Sequence, residues 1–175
     1  ALLDLYTIYE KYNNNFKNIK KLNILFIGDI LNSRTVNSLI DLLHLFPKIK
    51  INILPYSNIN NPTDDLLKDI SNIHNQNIND IIIEHNNINW KDFNVIYVTR
   101  MQKERYLNDE LLNTNNFNID MNLINEMNID TMIMHPLPRN SEINSEIDND
   151  ERIYYFKQMN NGVYIRMAII NSLLP

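Results

Sequence analysis

Cysteine is absent from the 175-residue chain, and glycine is nearly so, with Gly28 and Gly162 alone. The first absence excludes disulfides, thiol nucleophiles, thiolate zinc sites and iron–sulfur clusters. The second excludes a GxGxxG dinucleotide loop and a GxxxxGK(S/T) phosphate loop, since each needs two or more glycines in a short span. A surplus of positive charge is also missing. The net charge is −5, against the basic excess that neutralising nucleic-acid phosphates requires, so no nucleic-acid partner is expected. No apolar run approaches the ~18–20 residues that cross a bilayer, and no signal-peptide pattern is present, so no membrane partner is expected and a cytoplasmic location is. The four histidines, His44, His74, His85 and His135, show no HExxH or similar spacing, so no metal site is expected. The opening Ala1-Leu2-Leu3-Asp4 lacks methionine and starts inside an apolar pattern, as expected of a fragment of a longer chain.

What is abundant is asparagine, 33 residues, beside 28 isoleucines. The asparagines are interleaved with apolar runs, and their longest block, Asn13-Asn14-Asn15, is three long. With 44% hydrophobic residues this reads as a compositional bias over a folded domain rather than a disordered polar tract. No N-x-(S/T) sequon is usable, because Pro62 blocks Asn61-Pro62-Thr63.

Hydrophobic spacing sets out the elements. Leu2, Leu3, Leu5, Tyr6, Ile8, Tyr9 and Tyr12 predict an opening helix. Buried strands are predicted at 22–27, 49–54, 81–84, 95–98 and 132–134. Helices are predicted at 34–46, capped by Ser33, at 63–74, at 120–127, near 151–158 and at 163–174, with one short turn at 90–93. The stretch 104–112 is ambiguous. Short, wholly apolar strands alternating with helices describe an α/β domain: a doubly wound, open, parallel five-stranded sheet with helices on both faces, Rossmann-like. With strand order 3-2-1-4-5, ligands bind beyond the carboxyl ends of the first and fourth strands.

The residues after those strand ends carry the chemistry. Gly28-Asp29 leads to Ser33-Arg34-Thr35 after the first strand. Thr99-Arg100-Met101-Gln102-Lys103-Glu104-Arg105 follows the fourth, and His135-Pro136-Leu137-Pro138-Arg139 the fifth. Five of the sixteen basic residues (Arg34, Arg100, Lys103, Arg105 and Arg139) lie in these loops, a local positive pocket in an acidic protein. Arginine forks bind carboxylates bidentately, so two forks and the Gln102 amide suit a small dicarboxylate. Taken singly, each arginine has a plainer reading as an ion-pair partner of Asp29, Glu104 or Glu142. Pro136 and Pro138 stiffen their loop and remove two amide donors, leaving carbonyl acceptors suited to a ligand amine. His135 is expected to be structural.

These segments resemble the C-terminal, aspartate-binding half of the aspartate carbamoyltransferase family. The resemblance rests on Gly28-Asp29…Arg34-Thr35-Val36-Asn37-Ser38-Leu39, on Thr99-Arg100-Met101-Gln102-Lys103-Glu104-Arg105, on His135-Pro136-Leu137-Pro138-Arg139, and on the two chain ends. Ornithine carbamoyltransferases are similar in fold but resemble HCLP in place of HPLPR. Two departures are local: Ile30-Leu31-Asn32-Ser33 replaces a stretch ending in glycine, and Asn37 stands where histidine is common.

The resemblance implies transfer of a carbamoyl group from carbamoyl phosphate to the α-amine of L-aspartate, in de novo pyrimidine synthesis. It implies no metal, no cofactor and no covalent intermediate. Arg34 is implied to hold an aspartate carboxylate, and Arg100, supported by Gln102, to clamp the side-chain carboxylate. Leu137 and Pro138 are implied to offer backbone carbonyls, and Lys103, Glu104 and Arg105 to form bridges on domain closure. Residues 1–15 are implied to be an inter-domain helix, 16–160 the aspartate-binding domain and 161–175 the C-terminal helix. The carbamoyl phosphate domain is then absent from this chain, the fragment alone inactive, and the working state a homotrimer of full-length chains. The alternative is a dicarboxylate-binding or oligomer-interaction module without chemistry.

Overall fold

The structure, a computed structural model, describes residues 1–57, 60–85, 88–102, 105 and 117–174. Helix α1 (Leu2–Lys11) ends where Asn13 and Asn14 take positive φ, 58° and 52°, a conformation asparagine tolerates better than most residues. A short α2 (Phe16–Ile19) leads into β1 (Asn23–Gly28). Then follow α3 (Arg34–Leu43), β2 (Lys50–Pro55), α4 (Asp64–His74), β3 (Val95–Val98), α5 (Met121–Asn125), β4 (Met132–Met134) and α6 (Tyr155–Leu173). The Ser33, Thr63 and Asp120 side chains each accept a hydrogen bond from a first-turn amide of α3, α4 and α5, satisfying donors those helices would leave unpaired.

All strand pairs are parallel, in the order β2-β1-β3-β4. The strands are buried almost throughout, because helices cover both faces. Ile24, Phe26, Ile51, Val95, Tyr97 and Met132 pack with Ile8, Val36, Ile40 and Ile70 of α1, α3 and α4. Leu25, Ile27, Ile96, Val98 and Ile133 pack with Trp90, Phe93, Ile124 and Tyr155. At about 1.5–3 kcal/mol for each fully buried large aliphatic, these two layers supply most of the driving force for folding.

Two expectations need correction. The predicted strand at 81–84 is a single rung: Ile82 bridges Ile53, with Ile53 N donating to Ile81 O (2.8 Å) and Ile83 N to Ile53 O (2.9 Å). Only Ile81 of the run is fully buried, so among the described residues the sheet has four strands and a one-residue extension beyond β2, in the predicted direction. The second correction is α6, which runs unbroken through the predicted gap between two helices. Asn161 and Gly162 are helical and buried against α1; the Asn161 amide donates to Thr7 Oγ1 (3.1 Å) and Glu10 Oε2 (3.0 Å). Tertiary contacts override the poor helix propensity of both residues. From Val163 onward the helix exposes Val163, Tyr164, Met167, Ile170 and Leu173.

Two of the histidines meet in the fold. His44, capping α3, and His74, ending α4, bring their rings to 5.3 Å at a 50° tilt, and His74 is buried. Burial first, and the neighbouring His44 second, push the His74 pKa down to about 4. The unfolded chain, with histidine near ~6.5, therefore takes up a proton that the folded one resists. Stability is full above pH ~6.5 and is lost as pH falls towards 4, by about 2 kcal/mol at pH 5. Urea unfolding at pH 7.5 and pH 5 measures this, and His74→Leu is expected to lose less stability on acidification than wild type.

Candidate functional site

The three loops predicted to matter leave neighbouring strands at one edge of the sheet. Gly28 closes β1 at φ +128°, and a Cβ there would lie 2.4 Å from Thr99 O and 2.5 Å from Thr99 Oγ1. That close approach sets β1 and β3 side by side where the loops begin. Asp29, wholly buried, comes next. Its carboxylate accepts from Asn32 N (3.3 Å), Asn32 Nδ2 (3.1 Å), Asn60 Nδ2 (3.2 Å) and Gln102 N (3.2 Å). A buried carboxylate is tolerable only with such donors, and these come from three separate segments. Gln102 Nε2 also donates to Asn32 O (2.9 Å), a second tie between the first and second loops.

Beyond this hub lies a groove of about 270 Å³, lined by Ser33, Arg34, Thr35, Thr99, Arg100, Gln102, His135, Pro136, Leu137 and Pro138. Arg34, Arg100, Gln102, Leu137 and Pro138 thus come together in one place, from loops about 35 residues apart or more. Arg34 is the first residue of α3 and is exposed; among the described residues its guanidinium makes no hydrogen bond or ion pair. Arg100 is half-buried and donates from Nη1 to Met101 O (3.3 Å). Among the described residues no carboxylate lines the groove. Two guanidinium groups and the N-terminal turn of a ten-residue helix give it a positive field that favours anions. Arg105 is exposed, its amide donating to Gln102 O (2.9 Å). Lys103 and Glu104 lie outside the described residues.

The wall opposite is the loop after β4. His135 is buried, and its Nδ1 accepts from Leu137 N (2.9 Å), which places the ring proton on Nε2, 2.9 Å from Glu142 Oε1. Glu142 also accepts from Asn140 N (2.9 Å). Burial raises the Glu142 carboxyl, but the hydrogen bonds from His135 and Asn140 outweigh it and hold the group below the usual glutamate range. His135 therefore braces the loop, with both nitrogens occupied, as its proline context predicts. Leu137 has φ +49° and precedes a cis proline. Arg139 departs from expectation. It does not line the groove but turns to Asp148 and Tyr155, with Nη2 2.6 Å from Asp148 Oδ2 and Nη1 2.6 Å from the Tyr155 hydroxyl. The Arg139 hydrogen bond holds the Asp148 carboxyl low. Asp148 and Tyr155 outbid the groove because both are adjacent and suited to the fork.

Three contributors are not legible in the sequence as site residues. Asn60, Glu142 and Gln158 are buried polar groups that hold the loops from behind; the sequence marks Glu142 only as an arginine partner, and Gln158 only as part of the resembling chain end. Among the described residues no group of three or more His, Asp or Glu side chains is placed to hold a metal ion.

A family model described as aspartate/ornithine carbamoyltransferase, Asp/Orn binding domain, matches residues 20–173. The chain is 35% identical over 178 residues to the aspartate carbamoyltransferase catalytic subunit of Alkaliphilus oremlandii, covering 99% of this chain and 51% of that protein. It is 38% identical over 176 residues to that of Methanococcus maripaludis, covering 99% and 54%. A crystal structure of aspartate transcarbamoylase from Trypanosoma cruzi in complex with carbamoyl phosphate and aspartate superposes with a TM-score of 0.78. It shows 30% identity over 99% of this chain and 54% of that one. The chain spans about half the length of the curated relatives it matches.

Proposed function

Because the chain belongs to the aspartate/ornithine carbamoyltransferase family, through its Asp/Orn binding domain, we propose that its groove is the aspartate half of a carbamoyl-transfer site. In the complete protein a carbamoyl group passes from carbamoyl phosphate to the α-amine of L-aspartate, giving N-carbamoyl-L-aspartate and phosphate. The observation that carries this reading is that Arg34 and Arg100, from separate loops, line one groove together with Gln102 and the Leu137–Pro138 wall. Such a lining suits a dicarboxylic amino acid and repels the side-chain ammonium of ornithine.

Arg100, half-buried, clamps one carboxylate as a fork, with Gln102 fixing the loop that carries it. Arg34, at the mouth, takes the other. The Leu137 and Pro138 carbonyls face the reacting amine and carbamoyl groups. No residue of this chain attacks the substrate. The chain contributes orientation and charge complementarity, and holding an amine in line with its electrophile is by itself a large rate factor. Lys103, Glu104 and Arg105 then act in closing a second domain over the groove. That domain, which binds carbamoyl phosphate, docks on the exposed apolar side of α6, with residues 1–15 and 161–175 as the connecting helices. The whole works as a cytoplasmic homotrimer in de novo pyrimidine synthesis. No described helix is long and apolar enough to cross a membrane.

The test is product analysis with the complete protein. Carbamoyl phosphate with L-aspartate is expected to yield carbamoyl-aspartate, and with L-ornithine no citrulline. The 175-residue chain alone is expected to yield neither. Citrulline from the complete protein would overturn the assignment.

A further inference from the structure

The loop that forms one wall of the groove has few ways to be held. Of residues 135–138 two are prolines, so only His135 and Leu137 have a backbone N–H to donate. Leu137 N donates within the loop, to His135 Nδ1. His135 N donates out of it, to Oε1 of Gln158 in the first turn of α6 (3.0 Å). Gln158 is 1% exposed, and its other end, Nε2, donates to Asp4 Oδ1 of α1 at 2.5 Å. The two partners make opposite demands. A backbone N–H can only donate and a carboxylate accepts, so the amide can sit only one way round. Asp4 is 2% exposed, so this chain of bonds runs through the interior, from α1 through α6 to the wall of the groove.

The same two helices are joined one turn further on by Asn161 to Thr7 and Glu10, and by Lys157 Nζ to Glu10 Oε1 (3.1 Å). Those contacts hold helix to helix. Among them Gln158 alone also grips the site loop.

We propose that Gln158 is a positioning residue for the Leu137 and Pro138 carbonyls, acting through the His135 backbone, and that Asp4 sets its orientation. This rests on the proposed carbamoyl transfer to aspartate. Removing the Gln158 amide frees the loop's one outward backbone donor, and the carbonyls lose their register against the substrate amine. Misplacement by about an ångström costs up to ~100-fold in rate.

The test uses the complete protein with Gln158→Leu, Asp4→Ala and Asp4→Asn, each assayed for kcat, for KM of both substrates and for thermal midpoint. Gln158→Leu is expected to lower kcat/KM for aspartate by about 10- to 100-fold, and to raise KM for carbamoyl phosphate, whose carbamoyl group the same carbonyls face. Asp4→Ala is expected to show a smaller loss of the same kind. Asp4→Asn keeps an oxygen for Gln158 Nε2 and is expected to stay within about twofold of wild type. A folded Gln158→Leu enzyme with wild-type kcat and KM, and only a lowered midpoint, would overturn the inference. If Gln158→Leu does not fold, identical kinetics for Asp4→Ala and Asp4→Asn would overturn it instead. Failure of the proposed function shows separately, as wild type that does not carbamoylate aspartate.

Discussion

Arg100→Ala in the complete protein is expected to raise KM for aspartate by one to two orders of magnitude and to lower kcat as well. A hydrogen bond to a charged group contributes roughly 1.5–3 kcal/mol, about 10- to 150-fold, and partial screening at a half-buried position keeps the fork as a whole near that range. Arg100 is half-buried, beside Thr99 and Gln102 at the end of β3, so water screens its pairing with a carboxylate less than at an open surface. Arg34 is exposed at the first turn of α3, and its loss is expected to cost less. Arg100→Lys keeps the charge without the fork and is expected to fall between wild type and alanine. The fall in kcat follows from position, since a loosely held aspartate presents its amine in many orientations. Steady-state kinetics at saturating carbamoyl phosphate measure all three. An aspartate KM within twofold of wild type for Arg100→Ala would remove the clamp.

Gly28→Ala is expected to damage fold and site together. Its Cβ would be placed 2.4 Å from the Thr99 carbonyl oxygen, on a backbone whose φ of +128° side chains rarely adopt. Neither obstacle is a flexible chain end. Thr99 is held from both sides, its amide donating to Ile27 O (2.8 Å) and its carbonyl accepting from the Tyr56 hydroxyl (2.6 Å). The ends of β1 and β3 must therefore part, which pulls Asp29 from Gln102 N and opens the groove floor. Strained backbone of this kind costs about 1–3 kcal/mol before any clash, and forced overpacking a similar amount again. A loss of about 3 kcal/mol or more in chemical denaturation is expected, with aspartate affinity falling in whatever remains folded. An unchanged unfolding midpoint would show that the strand ends are not as closely set as described.

Much of the fold is legible from strings of residues because each element is locally consistent. The runs at 95–98 and 132–134 are apolar throughout, as strands buried on both faces must be, and Ser33 announces α3 by capping it. The gaps have physical causes. The isoleucines at 81–83 promise a strand, yet a sheet edge needs only one rung there. Asn161 and Gly162 look like a helix break because their stabilising partners, on α1, lie about 150 residues away. Of the site, the arginines and the proline loop are visible because their chemistry is tied to residue type and strand ends. The groups that hold them are not. Asp29 reads as half of a Gly-Asp pair and becomes a hub only when Asn60 and Gln102 arrive from elsewhere. Arg139 shares the composition of the groove arginines, and only the position of Asp148 and Tyr155 turns it away.

The central claim is that the groove at the ends of β1, β3 and β4 holds the two carboxylates of aspartate. It is tested most directly by a crystal structure of the complete protein with carbamoyl phosphate and succinate, which has both carboxylates and no amine to react. The expected result is one carboxylate at hydrogen-bond distance, about 3 Å, from the Arg100 guanidinium and the other from that of Arg34. The carbon that stands in for the amine-bearing one should then lie against the Leu137–Pro138 wall. Succinate bound elsewhere, with both guanidinium groups unengaged, would contradict it.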